Sequence, residues 1–258
     1  MPIDTWFWAL AIAASLMVGA SKGGLPMVGM LAVPMMSVVM SPIVAAGLLL
    51  PIYIVSDMYG LWIYRHEYDK RNIFIIVPAA AIGIVFGWQT AQYTSEAVVK
   101  FLVGVIGLFY CLDAIVKLRR VVPAKPADVP RGIFWGALTG FTSYVSHSGA
   151  PPFQMYVLPQ KLDKMVFAGT STITFAIINL LKLPPYILLG QVNTDSLEKC
   201  LLLGPFSLVG AYLGYKLTKV IPQTLFFRAV EIALFLLSVL LIKESAPAIW
   251  SLLHHVTV

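Results

Sequence analysis

Apolar residues in this chain do not alternate with polar ones. They run in long blocks, on the scale of the roughly 20 residues that one helix needs to cross a hydrocarbon layer. Unbroken blocks cover roughly 43–64, 73–90, 97–118, 165–190, 200–218 and 224–243. Two further regions are interrupted. Apolar pieces at roughly 5–20 and 25–40 meet at Gly19 to Pro26, which reads Gly-Ala-Ser-Lys-Gly-Gly-Leu-Pro. Pieces at roughly 132–146 and 150–160 meet at Tyr144 to Pro151, which reads Tyr-Val-Ser-His-Ser-Gly-Ala-Pro. Proline suits a first helical turn, where its missing N–H is not needed. Each pair is too short for two ordinary crossings. It reads as a broken hairpin dipping to mid-membrane, or as two short tilted spans.

The interruptions repeat, and so do the spans downstream of them. A shift of 125 places Ser21 on Ser146, Lys22 on His147, Gly24 on Gly149, Pro26 on Pro151 and Pro34 on Pro159. A shift of 122 places Ala46 and Gly47 on Ala168 and Gly169, and Asp57 on Asn179. A shift of 127 places Pro78, Gly83 and Gly87 on Pro205, Gly210 and Gly214. Offsets that drift at loops are the mark of a duplicated unit. The chain divides into a first transmembrane repeat, 1–118, a basic cytoplasmic linker, 119–131, with prolines at 123, 126 and 130, and a second repeat, 132–258.

Composition makes the solvent explicit. Hydrophobic residues are 59% of the chain and charged ones 12%, against about 25% charged in a soluble domain. The lipid bilayer is therefore the main partner. The net charge of +6 gathers at span ends and points to cytoplasmic loops rather than to nucleic acid. The basic loop 65–71 and the linker belong inside, and the net acidic loop 191–199 outside. Each half then crosses an odd number of times, with both termini outside. The expected fold is an all-α integral membrane protein of two inverted-topology repeats, each a broken or re-entrant helix pair plus three transmembrane helices, a transporter architecture. The start, Met1 to Asp4, lacks a basic n-region, so the first segment reads as retained. No oligomeric state is read from the sequence.

The candidate chemistry lies at the interruptions. Irregular backbone at membrane depth lines protein or a cavity, and a helix start presents free N–H groups that suit an anion. Gly23, Gly24 and Gly149 admit a ligand close to the backbone. Ser21, Ser146 and Ser148 add hydroxyl donors, and Lys22 or His147 adds positive charge. The substrate expected is a small anion. Packing and turn formation are the alternative use of these glycines and prolines. Asp57 sits on an apolar span, where a carboxylate is costly; it reads as a proton- or cation-coupling group, as a partner of Lys22, or as a partner of Arg65 near the span end. His147 is the second coupling candidate, able to respond to pH or to bind an anion when protonated, or else a neutral hydrogen-bonded residue. Ser171, with Thr174, lies on a face suited to line a pathway, unless these hydroxyls bond their own helix carbonyls. Cys111 and Cys200 lack a CxxC or Cys/His neighbourhood and read as core, so no metal or cofactor is expected. No nucleotide-binding loop, HExxH or nucleophile elbow is present, and no enzyme activity is expected.

In the order of these elements the chain resembles the TauE/SafE family of bacterial membrane permeases: Ser21 to Pro26, then Ala46, Gly47 and Asp57, then Ser146 to Pro151 with Ala168, Gly169 and Thr170. The resemblance implies a secondary transporter in the bacterial inner membrane. It would export a sulfur-containing oxyanion such as sulfite or a sulfoacetate-like organosulfonate, bound at the membrane midplane between the two broken pairs. Lys22 departs from the glycine-rich pattern common in that family. A passive anion channel, or a membrane-embedded enzyme or sensor using the same central pocket, is the rival reading.

Overall fold

The computed structural model describes residues 3–90, 93, 95–117 and 123–255, and every regular element among them is helical. The first helix, α1 (Ile3–Lys22), ends where the sequence turns to glycine. The Leu25 N–H donates back to the Ala20 carbonyl at 3.3 Å across Gly24, whose φ is +111°, so a left-handed residue closes the helix in the manner of a glycine cap. The apolar piece expected as one helix over 25–40 is instead two short helices, α2 (Pro26–Gly29) and α3 (Ala32–Met36). Pro34 is the reason: it has no N–H to give to Met30, and the helix breaks at that turn.

The next helix, α4 (Pro42–Ile63), starts at a Ser41 cap whose hydroxyl accepts from the Val44 N–H. It is followed by α5 (Lys70–Thr90) and α6 (Glu96–Lys117). Within the expected linker, residues 123–128 are irregular and 119–122 lie outside the described residues. Its last residues already belong to α7 (Val129–Ser146), because the Asp128 carboxylate caps the Arg131 N–H at 2.9 Å. The second interruption leads into α8 (Ala150–Val157) and a 3-10 turn over 158–160. Then come α9 (Lys164–Leu188), α10 (Thr194–Val220) and α11 (Gln223–His255). The outer loop expected over 191–199 is shorter than that, since Asn193 and Ser196 form a reciprocal capping box that starts α10. The last span expected to end at 243 runs on helically to His255.

Six of these helices are long and apolar enough to cross a membrane: Thr5–Lys22, Ile43–Ile63, Lys70–Thr90, Lys164–Leu188, Thr194–Val220 and Gln223–Ser251. Their large apolar side chains commonly point outward, with Phe74 77% and Leu201 79% exposed, which in lipid is the favourable arrangement. Trp6, Trp62 and Trp250 are exposed near helix ends, as interface anchors are.

The chain forms two compact units that interleave its halves: Met1–Val77 with Asp163–Phe226, and Pro78–Leu162 with Phe227–Val258. In the first unit α1 packs on α10, and α4 on both α9 and α10. The α4–α9 register is antiparallel, because Gly47 meets Gln191, Asp57 meets Asn179, Gly60 meets Thr172 and Gly169 meets Tyr64. Side chains are nearly absent where α1 crosses α10. A Cβ at Gly210 would lie 2.2 Å from the Leu16 carbonyl oxygen, and one at Gly19 would lie 1.8 Å from that of Ser207. The second unit has the same kind of crossing, between α5 and α7: a Cβ at Gly83 would lie 2.0 Å from the Ala137 carbonyl oxygen. Small residues let helix backbones approach in lipid, where association rests on close packing. In the second unit α6 packs on α7 and α8, and Gly104 of α6 sits against Ser238 and Ile242 of α11.

Candidate functional site

The site is built at the end of α1, inside the first unit. Lys22 is the last residue of the helix, and its side chain is withdrawn from water. Its ammonium Nζ lies 2.8 Å from Oδ1 of Asp57 on α4, with side-chain exposures of 5% and 1%. Asn179 of α9 donates from Nδ2 to the other carboxylate oxygen, Oδ2, at 2.8 Å. Asp57 thus holds the lysine with one oxygen and the facing helix with the other. Aromatic faces complete the surroundings of the ammonium, with the Tyr53 ring centroid 5.1 Å away and that of Phe175 5.8 Å away; such faces attract a cation.

The backbone of the first interruption is pinned as tightly. The Lys22 carbonyl accepts from the Thr172 hydroxyl at 3.2 Å, and the Gly23 carbonyl accepts from the Tyr64 hydroxyl at 2.7 Å. The Tyr53 hydroxyl donates to the Gly29 carbonyl at 2.7 Å. These are carbonyls that the end of α1 and the break leave without a helical partner. Side chains from α4 and α9 therefore hold an irregular segment that its own hydrogen bonds could not hold.

A second buried lysine lies on α9. Lys182 is 1% exposed, one turn beyond Asn179, and its Nζ sits 5.8 Å from the Tyr186 ring centroid. Sequence reading singled out Asp57 as an intramembrane charge and passed over Lys182, although the same signal was present: one lysine inside Leu180, Leu181, Leu183 and two prolines.

Among the expected site residues, Lys22, Gly23, Gly24, Asp57 and Ser171 all belong to this unit. Gly24 fits because a Cβ there would meet the Tyr64 hydroxyl at 2.6 Å. Ser171 is buried on α9, one turn before Phe175. The Ser21 hydroxyl donates to the Val18 carbonyl at 2.6 Å, within its own helix. Of the two partners considered for Asp57, Lys22 is the one found. Arg65 instead donates to the Trp62 carbonyl at 2.7 Å.

The second interruption lies in the other unit. His147 is the left-handed cap of α7, with φ +52°, and its N–H bonds to the Thr142 carbonyl. Ser146 donates to the Thr142 carbonyl and Ser148 to the Ser146 carbonyl, both at 3.1 Å. Gly149 precedes α8 with φ −74°.

Among the described residues, six helices are long and apolar enough to cross a membrane, and a buried lysine sits at the break that ends the first of them. Residues 10–241 match the family described as Sulfite exporter TauE/SafE. The chain belongs to the TauE/SafE family. Neither a curated protein nor a solved structure matches it. This TauE/SafE protein is thus a multi-pass protein of the bacterial inner membrane, a transporter and not an enzyme, that exports small anions of the sulfite or organosulfonate type.

Proposed function

We propose that this exporter binds its anion at the buried ammonium of Lys22, with the first interruption and Ser171 around it, and that Asp57 controls access to that ammonium. The observation that carries the reading is the Lys22–Asp57 pair, 2.8 Å apart and out of water. A charge in that position needs an opposite charge close by. Either Asp57 or a bound oxyanion meets the need. Protonating Asp57 weakens its hold and frees Lys22 for the substrate, so proton and anion occupy the site together. This is the physical basis for proton coupling.

The two halves act as inverted repeats that alternate access to the site. Two observations support this. The helices α4 and α9, equivalent under the repeat, run antiparallel. Asp57 and Asn179, which the shift of 122 makes equivalent, touch each other, so a pseudo-two-fold axis would pass between them. The second interruption, Ser146 to Gly149, is a separate anion-binding candidate within its own unit, through His147.

Sulfite counterflow in liposomes tests the reading. The paired variant Lys22→Gln/Asp57→Asn keeps a neutral hydrogen-bonding pair and removes the charge. Its counterflow should fall at least about tenfold, and His147→Ala should weaken it less. Undiminished counterflow in the paired variant would remove Lys22 from the site. Flux that never saturates with sulfite would favour a channel over a carrier.

A further inference from the structure

We propose, resting on the site described above, that the loops 64–69 and 189–193, which follow α4 and α9, are the two gates of that site, and that 64–69 is the latched one. Lys22 and Asp57 are 4% and 1% exposed, so an anion reaches the ammonium only when a covering segment lifts.

Three observations carry it. First, the two loops are seated alike. A Cβ on Gly169 of α9 would run into the Glu67 carbonyl oxygen, and a Cβ on Gly47 of α4 would run into that of Gln191. The shift of 122 places Gly47 on Gly169, so each helix offers the equivalent glycine to the loop that follows the other. Because α4 and α9 run antiparallel, the two seats lie at opposite ends of the pair, with the contact of Asp57 and Asn179 between them.

Second, one seat is latched by other elements. The Tyr64 hydroxyl donates to the Gly23 carbonyl at 2.7 Å, and the Asp69 N–H donates to the Thr170 hydroxyl at 2.8 Å. The loop 64–69 is thereby tied to the end of α1 and to α9. Among the described residues, the hydrogen bonds of 189–193 stay within 185–197.

Third, the latched loop carries a penalty while it is seated. Oε2 of Glu67 is buried without a hydrogen-bond partner among the described residues, and a carboxylate oxygen in that state gains by hydration. Lifting the loop gives it water. The crossing of α1 and α10 is biased the other way: Gly19, Gly23, Gly210 and Gly214 set backbone against backbone along it, packing that an opening there would forfeit. The loops are the parts that can move while α1 stays on α10.

Sided labelling of the full chain in liposomes tests this. With Cys111→Ala and Cys200→Ala in place, Leu25→Cys sets a thiol beside the Gly24 turn, and a membrane-impermeant thiol reagent is applied to one face at a time. From the face where α4 ends, Tyr64→Phe should speed labelling about fivefold, the scale of one hydrogen bond. Gly169→Ala, whose methyl group unseats the loop, should speed it at least as much, and Glu67→Leu should slow it. Gly47→Ala should speed labelling from the other face alone. Unchanged labelling in folded Tyr64→Phe and Gly169→Ala would overturn the inference, as would equal acceleration from both faces. If Lys22→Gln/Asp57→Asn abolishes sulfite counterflow while labelling ignores the loop variants, the gates fail and the site stands. If the paired variant keeps its counterflow while the loop variants still control labelling, the site fails and the gates stand.

Discussion

The two interruptions of the chain are alike in sequence and differ in what holds them. In the first, distant helices do the holding: Asp57 pairs with Lys22, Tyr64 bonds the Gly23 carbonyl and Thr172 bonds the Lys22 carbonyl. In the second, the serine hydroxyls bond backbone within a few residues, and His147 makes the turn itself with a left-handed backbone. Glycine occupies the left-handed position in the first copy, at Gly24. In the second copy that conformation moves two positions back, to histidine, one of the residue types that tolerate it best. The difference teaches that a similar helix break can be closed in two ways, by side chains from other helices or by a left-handed turn of its own backbone. The break is a local backbone property. At Lys22 the charge is tolerated because a carboxylate on another helix meets it.

The largest test of this contrast removes the charge from one side. Lys22→Ala leaves Asp57 buried without its cation and should destabilise the protein by about 3–5 kcal/mol. Lys22→Ala/Asp57→Ala should recover much of that. Denaturation followed by tryptophan fluorescence would read both, and a double variant no better than the single one would mean that Lys22 and Asp57 do not hold each other.

Next in size is the glycine. Gly24→Ala places a methyl group against Tyr64 and Thr218 on a backbone with φ +111° and should cost about 2 kcal/mol. Gly149→Ala, at φ −74°, carries no left-handed backbone strain and should cost less than Gly24→Ala. Equal costs would erase the asymmetry. Tyr64→Phe removes one hydrogen bond to the break and should cost about 1 kcal/mol. Smallest is Ser148→Ala, at about 0.5 kcal/mol, because its bond runs only to the Ser146 carbonyl. A loss of sulfite binding in Ser148→Ala without loss of stability would instead assign that hydroxyl to the anion.

Much of this was legible in the residues. Apolar blocks located the helices, and capping residues such as Asp128, Asp163 and Asn193 sit where helices begin. The alignment of Asp57 with Asn179 was visible as a shift of 122, but not that the two residues touch. The split of 25–40 into α2 and α3 could have been read from Pro34. Lys182 was missed because its neighbours read as an ordinary span, although a lone lysine in such a run carries the same desolvation penalty that singled out Asp57.

The sequence by itself determined that this is a helical membrane protein whose apolar blocks are interrupted twice by a glycine-, proline- and serine-rich element. Hydropathy, helix breaking and repeat spacing are local quantities written along the chain. Tertiary structure alone decided which charges meet. Lys22, Asp57 and Asn179 come from helices far apart in sequence, and their approach depends on α4 and α9 packing antiparallel inside a unit that draws on both halves. In a medium with no water to solvate them, that packing decides whether a buried charge is a defect or a binding site.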